Sequence, residues 1–505
     1  MTTMHRLLAA TSLTLASFGA LAASDPTGFK PHDEFYWLEE MNKASSVMVA
    51  EQGIVSNELS HVIANSIAKS IELGDQPQAP RPDVTHYLTL EQQLISIGGP
   101  DVTRVHSGRS RQDLIATVDR LKLRERLLQW MTQLIVVRSK LAELASHNID
   151  TIIPAYTNGV QAQPITLAHY LLAYDQALAR DADRTREAYV RLNLSPLGSA
   201  ALGTSSFPIN RPRLAELLGF DGVAENSYDA NEISALDVPL ESLQIAESSA
   251  LTIGSLIEEI ELQYHETNPW LLLREGALTG PSSIMPQKRN PYGLLTVRED
   301  ASEVLGTATT FEFIAHNLPN GMPDYKHGKV EASIDTALKM LNDLSALIDA
   351  LVVNPERALD EVNSDYSTTT ELADELQQRS NVPFRIGHQF ASQLVTFGRA
   401  HHLRPIDLSY ADAQRIYTES AATFGMQDAT LPLSEQQFRN ALSAKNMVDS
   451  AIVMGGPQPA EVTRMLSDTR AAIARDQSWL EARQQHLADG SSKLDAAFER
   501  QRSAH

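Results

Sequence analysis

The sequence predicts an all-α protein organised around a bundle of long helices, and three observations carry the prediction. Hydrophobic periodicity at mostly three- and four-residue intervals runs through Leu128, Met131, Ile135, Leu141 and Leu144, through Ile245, Thr252, Leu256, Ile260 and Tyr264, and through Ile334, Leu338, Leu341, Leu344, Ile348 and Leu351. Loops containing glycine and proline separate these stretches, and little of the chain alternates with the period of two that strands require. A chain of 505 residues with 43% hydrophobic content can bury a sizeable core. Each long helix buries one stripe within its own subunit, so apolar residues on a second face ask for a partner copy, and an oligomer is expected.

In chain order, residues 1–23 read as a secretory signal peptide: Arg6 precedes an apolar and small-residue run from Leu7 to Ala23, with Ala20-Leu21-Ala22 as a cleavage signal. The competing reading is a ragged N-terminal helix. A cleaved leader implies a periplasmic or secreted protein, an uncleaved start a cytoplasmic one. Residues 24–120 are expected to form a mostly helical N-terminal domain, interrupted by the loop "DQPQAPRPD" and by Gly98-Gly99-Pro100. Residues 121–368 hold the central helical bundle. Residues 369–505 form a C-terminal domain of shorter helices, with Pro355 and Pro405 at helix-start positions around the change. No segment after the leader offers the ~20 apolar residues of a membrane span, so no membrane association is expected after cleavage.

The formal charge of -21, from 42 basic and 63 acidic residues, excludes a nucleic-acid backbone as the expected partner but leaves room for small anions in a local basic pocket. The absence of cysteine rules out disulfides, thiolate catalysis and cysteine-ligated metals. His106, His316, His327 and His388 are dispersed without compact ligand spacing, so neither metal nor cofactor is expected.

Three polar segments lie between apolar helices. The first, "VHSGRSRQD" at 105–113, offers Arg109 and Arg111 with hydroxyls of Ser107 and Ser110, a set that binds a carboxylate or phosphate or simply makes a solvated loop. The second, "YTNGVQAQP" at 156–164, contains Thr157, Asn158 and Gln163 and precedes an apolar helical run. The third, "GPSSIMPQKRNP" at 280–291, is the least ordinary. It gathers Ser282, Ser283, Met285, Lys288 and Asn290 in one turn-forming segment. A serine hydroxyl becomes a base only where its alkoxide is stabilised, and Lys288 and Asn290 are close enough in sequence to do that. The same groups can stabilise a carboxylate that takes up charge as a carbon acid loses its proton, which is β-elimination chemistry.

Together these segments resemble the fumarase, aspartase and argininosuccinate lyase superfamily. "SSIMPQKRNP" is similar to its signature loop, while "HSGRSRQD" and "TELADELQQRSNVPFRIGHQFASQLV" at 370–395 resemble the argininosuccinate lyase branch. The resemblance spans about residues 35 to 450. It implies a three-domain helical subunit whose long central helices assemble a homotetramer, with each active site built from segments of three subunits. The implied reaction is reversible, cofactor-free elimination of fumarate from a succinyl group. Ser282 resembles the family's base, Lys288 and Asn290 its aci-carboxylate holders, and Ser110 and Arg111 its succinyl-carboxylate binders. Thr157 resembles the threonine of the second segment. Gln112, Asn158, Gln163, Ser283 and Met285 complete the expected substrate-binding set.

Departures from the pattern are as informative. The branch carries Thr-His where this chain has Thr157-Asn158, and a glutamate where it has Leu295; that histidine and glutamate pair in the family, and joint loss is expected if either partner alone is costly to bury. Pro281 replaces the glycine before the serine, and Gln112 an asparagine. An arginine and an aspartate near Ser234 are gone, and the family's tyrosine is matched only by Met322 or Tyr325. The expected function is a carbon-nitrogen lyase acting on an N-substituted aspartate other than argininosuccinate, such as ethylenediamine disuccinate. The alternatives are argininosuccinate lyase itself and a non-catalytic, crystallin-like homologue.

Overall fold

The computed structural model describes residues 30–321 and 329–503. The expected leader at 1–23, His327, and the Met322 and Tyr325 positions lie outside the described residues.

Helices α1 (Glu34–Glu51), α2 (Asn57–Gly74) and α3 (Tyr87–Gly98) enclose an N-terminal core around Phe35, Leu38, Met41, Ile63, Ile67 and Leu90. The first two start where side-chain oxygens of Asp33 and Ser56 accept otherwise unpaired first-turn amides, from Tyr36 and Leu59. Helix α4 (Arg111–Ser146) is the spine of the molecule. Leu114, Ile115, Val118 and Leu121 on its first turns belong to the N-terminal core, whereas Leu123 onward belongs to a second, central core. It begins before the periodic stretch read from Leu121 because Ser110 caps it: the Ser110 hydroxyl receives the Gln112 amide while Asp113 receives the Ser110 amide.

The central bundle adds α5 (Leu167–Leu192), α7 (Ser234–Gln263), α8 (Tyr292–Ala315) and α9 (Lys329–Ala350), with the short α6 (Arg211–Leu217) lying against the N-terminal core. Helix α4 packs on α5 and α9, α7 on α5 and α8, and α8 on α9. The three predicted stretches fall in α4, α7 and α9, except that Tyr264 caps α7 and Leu351 opens the strand after α9. The apolar run after the second polar segment is α5, whereas α8 has no stretch among the three because the buried Asp300 interrupts its stripe.

A third core, around Leu372, Leu376, Phe390, Leu394, Tyr417 and Phe438, is built from α11 (Thr370–Ser380), α12 (Phe384–Ala400), α13 (Tyr410–Ala422) and α14 (Glu435–Ala441); α10 (Pro355–Ser364) precedes them and α15 (Ala444–Ser450) follows. Pro355 opens α10, and Pro405 opens a single 3₁₀ turn before α13. The last helix, α16 (Pro459–Ser503), returns along the molecule: Val462, Leu466 and Leu480 enter the central core and Leu494, Ala497 and Phe498 the N-terminal one. A buried ion cluster fixes it. Arg138 bonds Asp175 at 3.0 Å and Asp476 at 2.5 Å, Arg186 also pairs with Asp476, and Thr469 donates to Asp175 at 3.2 Å. Arg138 and Arg186 are thus matched by Asp175 and Asp476 inside, with Asp183 pairing with Arg186 on its exposed side, and burial raises the Asp175 carboxyl above its usual range.

The second polar segment is a β-hairpin, which the reading of a nearly strand-free chain did not foresee. Strands β1 (Ile152–Thr157) and β2 (Val160–Thr166) pair antiparallel around Asn158 and Gly159, whose φ angles are 52° and 75°. Two successive positive φ values make the turn whose twist matches paired strands, and Asn-Gly is its preferred sequence. Shorter pairs pin the loops: Leu271–Leu273 on Leu351–Val353, and Gly280–Pro281 on Arg289–Asn290. Among the described residues no helix is long and apolar enough to cross a membrane.

Candidate active site

The first segment is held from beneath by its own buried side chains. Arg109 is buried and donates to Asn42 Oδ1 at 3.0 Å and to the Tyr87 hydroxyl at 3.2 Å, so it ties the segment to α1 and α3 and is not a surface arginine. His106 stacks on Tyr87 with ring centroids 5.0 Å apart and its Nδ1 lies 3.2 Å from the same hydroxyl. Burial, assisted by the Arg109 charge, lowers its pKa to about 3 and keeps the ring neutral. Ser107 closes a turn onto the Arg104 carbonyl at 2.8 Å. Ser110 is committed to capping α4, while Arg111 is exposed on the first helical turn. Gln112 is half-buried, and its Oε1 has no hydrogen-bond donor among the described residues.

Asp113, the last residue of the first segment, organises this corner. Its Oδ1 receives the Ser110 amide, and its Oδ2 receives the Gly198 and Ala200 amides at 2.9 and 3.1 Å, joining α4 to the loop after α5. Burial raises its pKa to about 6 despite these three donors. The Ser-x-x-Asp spacing of a capping box was the sequence clue. Glu39, beneath the same corner, accepts from Ser70 and Asn42 and is pushed up to about 7 by burial.

In the second segment Thr157, Asn158 and Gln163 are all exposed on the hairpin, whereas Gln161 bonds the Val362 carbonyl at 3.1 Å and Ser367 at 3.0 Å. Asn158 is accounted for by its left-handed turn position. Leu295, where the family has glutamate, is 40% exposed on the first turn of α8. Asn158 and Leu295 are thus both exposed in the single subunit.

The third segment is a closed loop standing on its own strand pair. Ser282 donates its amide to the Lys288 carbonyl at 3.3 Å, and its Oγ receives the amides of Met285 at 3.1 Å and Ile284 at 3.4 Å. Asn290 Nδ2 lies 3.5 Å from the Pro281 carbonyl and 3.4 Å from the Tyr292 hydroxyl, so Ser282 and Asn290 share the loop base. Ser283, Met285 and Lys288 are exposed around it. Gly280 is needed beneath: a Cβ there would stand 2.1 Å from the Tyr292 ring.

One subunit does not bring the three segments together. Ser110, Arg111 and Gln112 open α4, and the hairpin follows its far end, a separation of roughly 54 Å at 1.5 Å per residue over 36 residues. The Ser282 loop leads into α8, whose Arg298 reaches Glu261 near the C-terminal end of α7 at 3.3 Å. The N-terminal end of α7 lies instead against the first third of α4, through a 2.8 Å bond from Arg120 to Ser234. The loop and the hairpin are therefore at the bundle end opposite Arg111. Among the described residues no cluster of three metal-ligating side chains occurs.

Comparison with known proteins covers all three segments. Residues 92–306 match a family model described as "Lyase", and residues 366–449 one described as "Argininosuccinate lyase C-terminal". The argininosuccinate lyase of Methanosarcina acetivorans is 32% identical over 463 residues, covering 90% of this chain and 89% of that protein. That of Methanocaldococcus jannaschii is 33% identical over 442 residues, covering 86% and 87%. Among solved structures, EDDS lyase in complex with formate superposes with a TM-score of 0.83 at 29% identity, over 93% of this chain and 92% of that one. A fumarate lyase from Mesorhizobium sp. BNC1, 18% identical with a TM-score of 0.69 over 86% and 95%, shares the fold. The chain belongs to the argininosuccinate lyase branch of the fumarase/aspartase superfamily.

Proposed function

We propose that the protein is a fumarate-releasing carbon-nitrogen lyase acting on an N-substituted aspartate other than argininosuccinate, of the aminopolycarboxylate class that ethylenediamine disuccinate represents. The observation that carries the reading is the environment of Ser282 Oγ, which receives two backbone amides from its own loop. Those dipoles stabilise the alkoxide that a serine base requires. Ser282 takes the proton from the carbon β to nitrogen, the electron pair forms the new double bond, and the C–N bond breaks toward the amine. Lys288 and Asn290 stabilise the aci-carboxylate formed on the way. Neither Asn158 nor Leu295 can donate an acidic proton, so the one the leaving amine takes up comes from water or from another group. The likeness to EDDS lyase supports the substrate class.

Arg111 and Gln112 hold a succinyl carboxylate beside the Ser282 loop of a different subunit in a homotetramer. The separation along α4 supports this arrangement, because a small dicarboxylate cannot span it.

The test is fumarate formation by ultraviolet absorbance from argininosuccinate, aspartate, adenylosuccinate and ethylenediamine disuccinate, with wild type, Ser282→Ala and Lys288→Ala. Turnover of a compound other than argininosuccinate, lost by at least ~100-fold in each variant, is expected. Turnover of argininosuccinate alone would favour the second reading, argininosuccinate lyase itself, which the names of the relatives support. No turnover of any compound would favour the non-catalytic homologue.

A further inference from the structure

Between β1, α5 and the C-terminal end of α7 lies a cavity of about 180 Å³, far above the ~10–15 Å³ that admits a single water. Its walls include Tyr156, Tyr170, Tyr174 and Trp270, and its lining has one ionisable acid, Glu259. Tyr170 and Tyr174 meet edge to face with centroids 5.1 Å apart, and their hydroxyls are 3.5 Å apart. Burial and the neighbouring Tyr174 and Glu259 raise the Tyr170 phenol, so that hydroxyl stays neutral. Trp270 is 6% exposed, and its indole N–H is buried without an acceptor among the described residues.

The charges around this wall are mostly negative. Tyr156 donates to Glu361, Glu266 acts on the same phenol, and Glu259 lines the cavity itself. The cation nearby, Arg357, is engaged by Glu361 at 3.1 Å and by the Asn268 carbonyl at 2.6 Å. Electron-rich rings beside a carboxylate attract an organic cation, since ring quadrupole and ion then act in the same direction.

We propose that this cavity is a binding site for a small organic cation, an alkylammonium or quaternary ammonium group enclosed by Tyr170, Tyr174 and Trp270 with Glu259 as its counter-charge. An amine of this class is what the proposed lyase releases. The site itself follows from its own lining and stands apart from that reading.

Isothermal titration of the full protein with tetramethylammonium chloride, in buffer of matched ionic strength, tests it against tert-butanol as the uncharged probe of similar shape. Saturable binding of the cation and none of the alcohol is expected. Glu259→Gln, at an exposed position that folding tolerates, should weaken binding about tenfold, as should Tyr174→Leu, while Tyr174→Phe keeps the ring and stays within about threefold of wild type. Absence of saturable binding, equal binding of the alcohol, or unchanged affinity in both Glu259→Gln and Tyr174→Leu would overturn the site. Ser282→Ala should bind the cation as wild type does, which separates this proposal from the lyase chemistry.

Discussion

His106, one of several histidines dispersed along the sequence, is a structural residue at a buried corner. Stacked on Tyr87 and lying next to Arg109, its ring is neutral in the fold with a pKa near 3, against ~6.5 in an unfolded chain. Between those values the unfolded chain binds a proton that the native state does not. The contribution of a neutral His106 is therefore complete above pH ~6.5 and is lost as pH falls toward 3. Glu39 and Asp113, raised to about 7 and 6, act in the opposite sense: their protonated forms favour the fold below the usual carboxyl range, and that support is lost as pH rises through 6 to 7. His106→Gln should lower sensitivity to acid, so its urea midpoint gains on wild type steadily as pH drops from 7 to 4. A constant offset between the two curves would refute this account.

At the scale of elements, the hairpin carrying Thr157 depends on two residues with positive φ. An L-residue other than asparagine or aspartate strains such a position by about 1–2 kcal/mol, and glycine does not. Asn158→Ala should cost about 1 kcal/mol in chemical denaturation, while Asn158→Gly stays within about 0.5 kcal/mol of wild type. If Asn158 also touched substrate, the glycine variant would keep its stability and lose turnover, a split that the fumarate assay reads directly. The Asn-Gly dipeptide was visible in the sequence, but the surrounding "IIPAYT" and "VQAQPIT" lack clean alternation, because Pro154 and Pro164 face each other across the pair and the register shifts at Ala155 and Tyr156. Helix α4 is the converse case. Its apolar period reads from Leu121, whereas its true start is set by the polar capping box of Ser110 and Asp113.

For the whole molecule, the decisive dimension is the length of α4, which keeps Arg111 and the Ser282 loop at opposite ends of one subunit. If sites are completed between subunits, a tetramer mixing two inactive variants contains some sites with neither lesion. Ser282→Ala and Arg111→Met proteins, each inactive alone, should regain a measurable fraction of wild-type turnover when dissociated and reassociated together. Failure to recover activity in mixtures shown to contain hybrid oligomers would count against shared sites. The same long helices explain why α16 carries no clear apolar period. Its 45 residues carry few apolar positions, since one narrow stripe serves two cores in succession and the Asp476 cluster with Arg138 and Arg186 holds the middle.

By itself the sequence determined the helical class and the family, and singled out three polar segments, because hydrophobic period and local polar motifs are properties of neighbouring residues. Ser282, Lys288 and Asn290 were legible together for the same reason: they share one short loop. Only the tertiary structure decided that Arg109 and His106 face a buried corner with Tyr87 and Asn42, that Asp113 joins α4 to the loop after α5, and that the segments lie at opposite ends of a bundle. Those facts depend on contacts between residues far apart in the chain, and on the distance that a rigid hydrogen-bonded helix imposes between its ends.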